Sequence, residues 1–422
     1  TGNVAIGNVH DPMLYCAVVQ RTQTWSNDLA REIDCAVAVV QSSDLTIEPG
    51  TLLRLGSGDS IAVRANAMRA EGVVFTAAEG EEEALNPWRG IEFDANTSGY
   101  LRHSLVAYGG TTSVGAVLVS SSVDVSFNTF LRTMGGAVTV EEDVEVDIVG
   151  NTIRTVRGAR SAGVRLRDGR EARVENNHFD DMENGIEIRE KLGEMTRNNF
   201  ANVRQLGISQ ETRGNCVDGR FNWWGDAFGP RDTSAAADSC PDAVKTNPDH
   251  RDGVAVSDGV RYREWLTQAP PRIPLVELPR SGHTSQAAQR LIGRGEPGSG
   301  IRVYDRAGTA TDESVLTTGT VGPDGRFEIP LSLSAGAHHL SVEAYAPYSG
   351  GAGGPTELRS PRTGYRYLTV DASSAIDPAS ILFEYGPPGS PRRQPLRDLA
   401  GAATVCGTAS SGRVVIPPDT SV

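Results

Sequence analysis

The 422-residue chain is 38% hydrophobic and 22% charged with a formal charge of −13, a balance that lets several globular domains bury cores. Lys is nearly absent and most cationic charge is Arg, so the clustered basic surface that a nucleic acid or an anionic membrane needs is missing. No stretch approaches the roughly 20 apolar residues of a membrane span, and Thr1 reads as the start of a processed chain.

Residues 1–40 carry Cys16 and Cys35 ahead of the first strand-like runs and are expected to cap whatever follows. Neither these cysteines nor Cys216, Cys240 and Cys406 form a C-x-x-C pair, which favours disulfides over a zinc or redox site. Local pairing would join Cys16 to Cys35 and Cys216 to Cys240, each closing about twenty residues for roughly 3 kcal/mol. Cys406 is then odd, and two bridges imply an oxidising, extracellular compartment, whereas buried free thiols would not. The acidic run "EGEEEALN" (Glu79 to Asn86) holds carboxylates that could bind Ca²⁺, but it lacks D-x-D-x-D-G spacing and reads as a solvated loop.

A repeat occupies the middle of the chain. Asn128, Asn151, Asn177, Asn198 and Asn222 recur with a period of about 21 to 26 residues, the mark of a stacked repeat. Each is followed two positions later by a large apolar residue: Phe130, Ile153, Phe179, Phe200 and Trp224. Ser104 with Val106 forms an earlier, looser copy. A glycine opening a short strand runs alongside, at Gly90, Gly115, Gly136, Gly163, Gly185 and Gly207. Such periods describe a coil whose turns stack about 4.8 Å apart as parallel strands, with equivalent residues in columns. The Asn is expected at a left-handed bend, hydrogen-bonded to its neighbours above and below, and the apolar residue faces inward.

The strand positions facing outward are read as Glu92, Val117, Val138, Arg165, Glu187 and Ser209, with Arg167, Arg189 and Glu211 one step further. Arg165 beside Glu187, and Arg189 beside Glu211, offer a face for an acidic polysaccharide or, more plainly, salt-bridge columns between turns. Asp180 and Asp181 read as bend residues. "RFNWWGDAFGP" (220–230) then closes the coil: Trp223 and Trp224 cover the exposed core, and Gly225, Gly229 and Pro230 turn the chain back. A sugar stacked on Trp223 is the alternative use of that aromatic.

Beyond residue 266 a Pro-rich linker leads to short alternating runs such as "GIRVYD", "GRFEIPLSL" and "HHLSVEAYA", which suggest a β-sandwich. His338 and His339 point to opposite faces of their strand, so no metal site follows. The last fifty residues, with "SILFEYG" and "GRVVIPP", read as a small β unit or an incomplete one. Its edge, or the opening "NVAIGNV", could be donated to another copy of the chain to build a filament.

Two segments carry a resemblance. Residues 45–77 with "WRGIEF" at Trp88 are similar to the first coils of secreted bacterial and archaeal right-handed parallel β-helix proteins, and N-W-W-G, G-P and "VAVSDGVRYREWL" (254–266) resemble their exit. Residues 294–346 look like the immunoglobulin-like repeats of bacterial surface proteins. The resemblance implies an all-β protein: an N-terminal cap (1–40), a right-handed parallel β-helix (41–266), a linker with an immunoglobulin-like sandwich (267–371) and a β-rich tail (372–422). Enzymes with this solenoid commonly act on acidic polysaccharides along one parallel sheet, but the clustered aspartates of a pectate lyase and the ordered motifs of a polygalacturonase are not seen; only "DD" at Asp180 is. The expectation is a non-catalytic surface protein, adhesin-like or filament-forming, without catalytic or metal-binding residues or a cofactor beyond Ca²⁺. Its partners would be surface polysaccharide or other copies of itself, and a polysaccharide lyase or glycoside hydrolase is the alternative.

Overall fold

The computed structural model describes residues 13–15, 18–26, 31–40, 42–64, 66–81, 88–141, 144–167, 172–190, 193–212, 216–232, 247, 252–279, 281–284, 287–307, 313–350 and 354–370, and three strands beyond them, Leu382–Tyr385, Arg392–Pro395 and Gly412–Val415. Short strands recur three to a turn and pair in parallel, each with its equivalent one turn away. Three sheets result. Sheet I has nine strands, from Met13–Tyr15 to Asn199–Phe200; sheet II has ten, from Val18–Val19 to Ala255–Val256; sheet III has ten, from Gln23–Trp25 to Val260–Arg261. No helix occurs among the described residues. The ladders already include Met13–Tyr15, Val18–Val19 and Gln23–Trp25, so all three sheets begin within the segment expected to cap the coil.

The interior is a set of columns. Leu53, Phe75, Val106, Phe130, Ile153, Phe179 and Phe200 follow one another by strand register in sheet I, and all are fully buried. Phe179 stacks on Phe200 at 5.2 Å and Phe200 meets Trp224 at 5.1 Å, so Trp224 ends the column. Each such side chain contributes about 1.5–3 kcal/mol by burial.

At the corner from sheet III to sheet I the amides form a continuous ladder. The Oδ1 of Asn177 accepts from the backbone N–H of Asn151 at 2.8 Å and from its Nδ2 at 3.1 Å. The Nδ2 of Asn177 donates to Ile148 O at 2.8 Å and to Asn198 Oδ1 at 3.1 Å. Asn128, Asn151, Asn198 and Asn222 repeat the backbone part of this pattern, and Asn128 reaches the backbone of Ser104 at 2.9 Å. The left-handed residue is not the Asn, however. It is the residue before it: Gly72, His103, Phe127, Gly150, Asn176, Arg197 and Phe221 precede Val73, Ser104 and the five Asn, with φ between 48° and 66°. Side chains at positive φ cost energy, and the amide that satisfies the bend's backbone groups compensates for it.

Two small sheets follow the coil. Leu275–Leu278, Ala288–Arg294 and Arg326–Ser332 form an antiparallel sheet of three strands. The second holds Gly282–Thr284, Gly300–Ala307, Ser314–Thr320, Gly336–Pro347, Glu357–Arg359 and Arg366–Val370, antiparallel except where Gly282–Thr284 runs parallel to Arg366–Val370. They share a separate core that includes Leu291, Ile301, Val303, Phe327, Leu340 and Val342. In the tail, Gly412–Val415 of "GRVVIPP" pairs with Leu382–Tyr385 of its own chain, while the rest of that segment and "NVAIGNV" lie outside the described residues.

The C-terminal sheets lie against the flank of the coil. Tyr365 stacks on His103 at 3.8 Å, and His103 on Phe127 at 4.9 Å. Arg362 lies between Phe127 (4.5 Å) and Tyr304 (3.6 Å). Arg306 pairs with Glu71, and Arg362 with Glu313, to which Tyr365 also donates at 2.6 Å. Burial, then the nearby Arg362, hold His103 well below the usual histidine range, so its 3.4 Å contact with Glu313 is that of a neutral ring. Gly72 is required here, because a Cβ would overlap the hydroxyl oxygen of Tyr367.

Replacing Asn177 with Leu strands the Ile148 carbonyl and the Asn151 amide. The expected loss is about 2–5 kcal/mol, seen as a lower denaturation midpoint; an unchanged midpoint would show that the ladder carries no stability.

Candidate functional site

Sheet II carries a groove on its outer face. Its strand Arg157–Leu166 has ten residues and pairs with Met134–Val140, but the register jumps from Met134 opposite Arg157 to Gly136 opposite Ala162. Gly158 to Ser161 thus face Gly135 alone and bulge outward, helped by Gly158 (φ 103°) and Arg160 (φ 58°). The bulge, with Thr112 and Ser113 of an earlier turn, walls a cavity of about 370 Å³. Arg165, Arg167, Arg189, Glu187 and Glu211 also line it.

Arg165 and Glu187 are directly opposed on adjacent strands and bonded at 2.8 Å, with side chains only 10% and 19% exposed. The second oxygen of Glu187 accepts from Asn184 Nδ2 at 2.9 Å, so both oxygens are engaged. Arg165 also reaches the Arg160 carbonyl, which ties the bulge down. Arg167 pairs with Glu141 and donates to Ser113 O at 2.6 Å, tying the other wall. Arg189 and Glu211 approach to 3.7 Å and are mostly exposed. Four guanidinium groups line the groove against two carboxylates. Glu211 lies one turn and two residues from Glu187, which by strand geometry separates their Cα atoms by roughly 8 Å.

The structure brings Arg165, Arg167, Glu187 and Arg189 together; it moves other residues. The outward column is Glu92, Leu118, Thr139, Arg165, Glu187, Ser209 by register. Val117 and Val138 face inward and are fully buried. The marker glycines are out of phase in two turns, because Ala116 and Ala137 occupy the place of Gly90 and Gly163 while Gly115 and Gly136 come one residue earlier. Sequence reasoning does not single out Arg160, Thr112 and Ser113; the step from Asn151 to Asn177, the longest of the four between the ladder Asn, is the available signal.

At the exit the two tryptophans separate. Trp224 is fully buried at the end of the apolar column, whereas Trp223 pairs with Asn199 on the outer face of sheet I and is half-buried. Gly225 (φ 82°) and Gly229 (φ 89°) turn the chain, Pro230 is buried, and Trp265 covers Gly229, where a Cβ would stand 2.5 Å from its ring. Cys35 and Cys216 are each disulfide-bonded. They flank the second strand of sheet I and the ninth of sheet III, roughly 30 Å apart at 4.8 Å per turn, so each has another partner. Cys16, Cys240 and Cys406 lie outside the described residues.

Asp181 is a bend residue at φ 60° that pairs with Arg204 at 2.9 Å, while Asp180 ends the strand His178–Asp180 and accepts from Arg154 at 3.2 Å. His338 is buried and bonded to Asp305 at 2.7 Å. Of the acidic run, residues 82–87 lie outside the described residues, and no group of three His, Cys, Asp or Glu is arranged to hold a metal ion among the described ones. Asp59 and Glu81 close equivalent turns on consecutive coils, with Asp34 nearby. Burial, then Asp34, raise the Asp59 carboxyl above its ordinary value, with Glu81 adding to it. A carboxyl raised in the folded state contributes stability below its unfolded pKa and loses it as pH rises through the folded one. Asp59→Asn is therefore expected to raise the melting temperature at pH 7 and to have little effect near pH 3; a lower melting temperature at pH 7 would refute the crowding.

No curated protein matches the chain. Residues 89–219 match the family model of the right handed beta helix region, and together with the stacked parallel sheets this supports placing the coil in the right-handed β-helix family.

Proposed function

We propose that the protein is a non-catalytic extracellular surface protein whose β-helix binds an acidic polysaccharide along the groove of sheet II. A right-handed β-helix fits a surface or polysaccharide-related protein. The observation that carries the reading is the groove itself: Arg160, Arg165, Arg167 and Arg189 gathered on one rigid face, against Glu187 and Glu211. Guanidinium groups fit carboxylates in plane and stay charged at every working pH. Glu187 has both oxygens bound by donors and serves to hold Arg165, not to move a proton.

The expected result is salt-sensitive binding of polygalacturonate, weakened at least tenfold by Arg167→Ala with Arg189→Ala, with no release of unsaturated uronides or new reducing ends. Equal affinity for a neutral polymer would refute the charge-based reading. Cleavage abolished by Glu211→Gln would favour the second reading, a polysaccharide lyase or hydrolase, which rests on the mostly exposed Glu211 standing beside Arg189 in the groove.

The C-terminal sheets are read as an immunoglobulin-like spacer held to the coil. The two bonded cysteines accord with an oxidising compartment, and the pairs proposed are Cys16 with Cys35 and Cys216 with Cys240. Mass mapping of unreduced peptides checks them; a link between either of the first two and Cys216 or Cys240 refutes the assignment.

A further inference from the structure

Arg306 joins the coil to the C-terminal sheets through a histidine. Its guanidinium pairs with Glu71, at the end of the sheet III strand Asn66–Glu71, and points Nε, at 3.2 Å, and Nη2 at Nδ1 of His339 on the strand Gly336–Pro347. A guanidinium only donates, so Nδ1 accepts and the docked ring is neutral, with its proton on Nε2. Tyr365 and Tyr367 border His339 at 5.6 and 5.0 Å, and the adjacent His338 is bonded to Asp305. A second histidine, His103, enters the contact from the coil. It lies between Tyr365 and Phe127, with Glu313 at 3.4 Å and Arg362, Arg306 and Arg102 around it.

Arg306 and Arg362 already pair with Glu71 and Glu313, so a positive charge on either ring would face cations whose partners are taken. Burial, then Arg362, hold His103 well below the usual histidine range, against the pull of the Thr363 backbone. Burial, then Arg306 and His338, lower His339 to about 4. Separation of the modules would return both rings to water, where a histidine titrates near about 6.5. A histidine held lower in the docked form contributes docking stability that is complete above its free pKa and is lost as pH falls from there toward the docked value. Glu71 acts in the opposite direction, because burial raises its carboxyl despite Arg306 and the docked form gains up to one proton there. Two histidines against one carboxyl leave at least one proton taken up on opening, which shifts the balance toward the open form about tenfold per pH unit.

We propose that this contact is an acid-released latch: the C-terminal sheets are docked on the flank of the coil at neutral pH and swing away in mildly acid surroundings, when His339 and His103 take up protons. Residues 268–274 serve as the hinge, since they form no strand and carry Pro270, Pro271 and Pro274. The modules can part without unfolding because each has its own apolar core. Opening uncovers Glu71, His103 and Phe127 on the coil, and it leaves the groove of sheet II as it is.

The test follows the full chain by small-angle X-ray scattering from pH 7.5 to pH 4.5, with far-UV circular dichroism on the same samples. The radius of gyration is expected to rise as pH falls while the β signal is kept. His103→Phe with His339→Gln, which retains an aromatic ring in the stack and an oxygen that accepts from Arg306, is expected to stay compact at pH 4.5. Histidine NMR on the unsubstituted protein is an independent reading: the His103 and His339 rings are expected to stay neutral in the compact form and to protonate only as it opens. A native chain that stays compact to pH 4.5, expansion that comes only with loss of the β signal, a double variant that opens as the native chain does, or rings that titrate near pH 6.5 while the chain is compact, overturns the proposal.

Discussion

Parallel stacking in register governs this molecule. Every residue of a middle turn lies about 4.8 Å from its equivalents above and below, so a residue type survives in a column only if it tolerates its own neighbours. Apolar side chains and amides do so. Phe179 on Phe200 gains from stacking, and each Asn both donates and accepts along the column. Charges do not, and here they alternate in sign: Asp147 faces Arg173 at 2.9 Å, Arg154 faces Asp180 at 3.2 Å, and Arg165 faces Glu187 at 2.8 Å. Exposed pairs of this kind contribute little individually, but the opposite choice would carry a penalty on every turn. Asp59 is held above its ordinary carboxyl range first by burial and then by like charges on the turns beside it, Asp34 ahead of Glu81.

The same rule explains how a site can be built on such a scaffold. A turn can lengthen outward without disturbing the columns, because only the bend residues change. The three extra residues among Gly158 to Ser161 do this on sheet II, while Ala162, Val164 and Leu166 on the strand's inner face remain buried. The groove is therefore made from a rigid floor and one protruding wall, the division of labour usual between scaffold and loop.

What the sequence revealed follows the range of the forces involved. The Asn and apolar columns are legible because each residue packs mainly against copies of itself, so period alone reports the fold. Glycine is a poorer marker. It is demanded by local backbone approach, as at Gly90, where a Cβ would collide with Ala116 O, and the point of closest approach slides by one residue from turn to turn. The charged face of Arg165, Glu187 and Arg189 can be located, since the alternation fixes it. Its walls cannot, because a bulge inside a repeat leaves only a longer interval. The left-handed bend lies one residue before the place that the Asn suggests, since the amide serves the neighbour that adopts that backbone.

The flank contact was invisible for a different reason. Tyr365, Arg362 and Arg306 meet His103, Phe127 and Glu71 from opposite halves of the chain, and no local pattern marks either side. Part of that contact is charged and buried, with Glu71 only 6% exposed. Desolvation cancels most of what such pairs gain, so they serve better to fix one docking geometry than to add stability. The aromatic stack of Tyr365, His103 and Phe127 provides the attraction, and the ion pairs with Arg306 and Arg362 select the register. Because the register is fixed, residues 270–273 are held at one height over Thr152, His178 and Asn199.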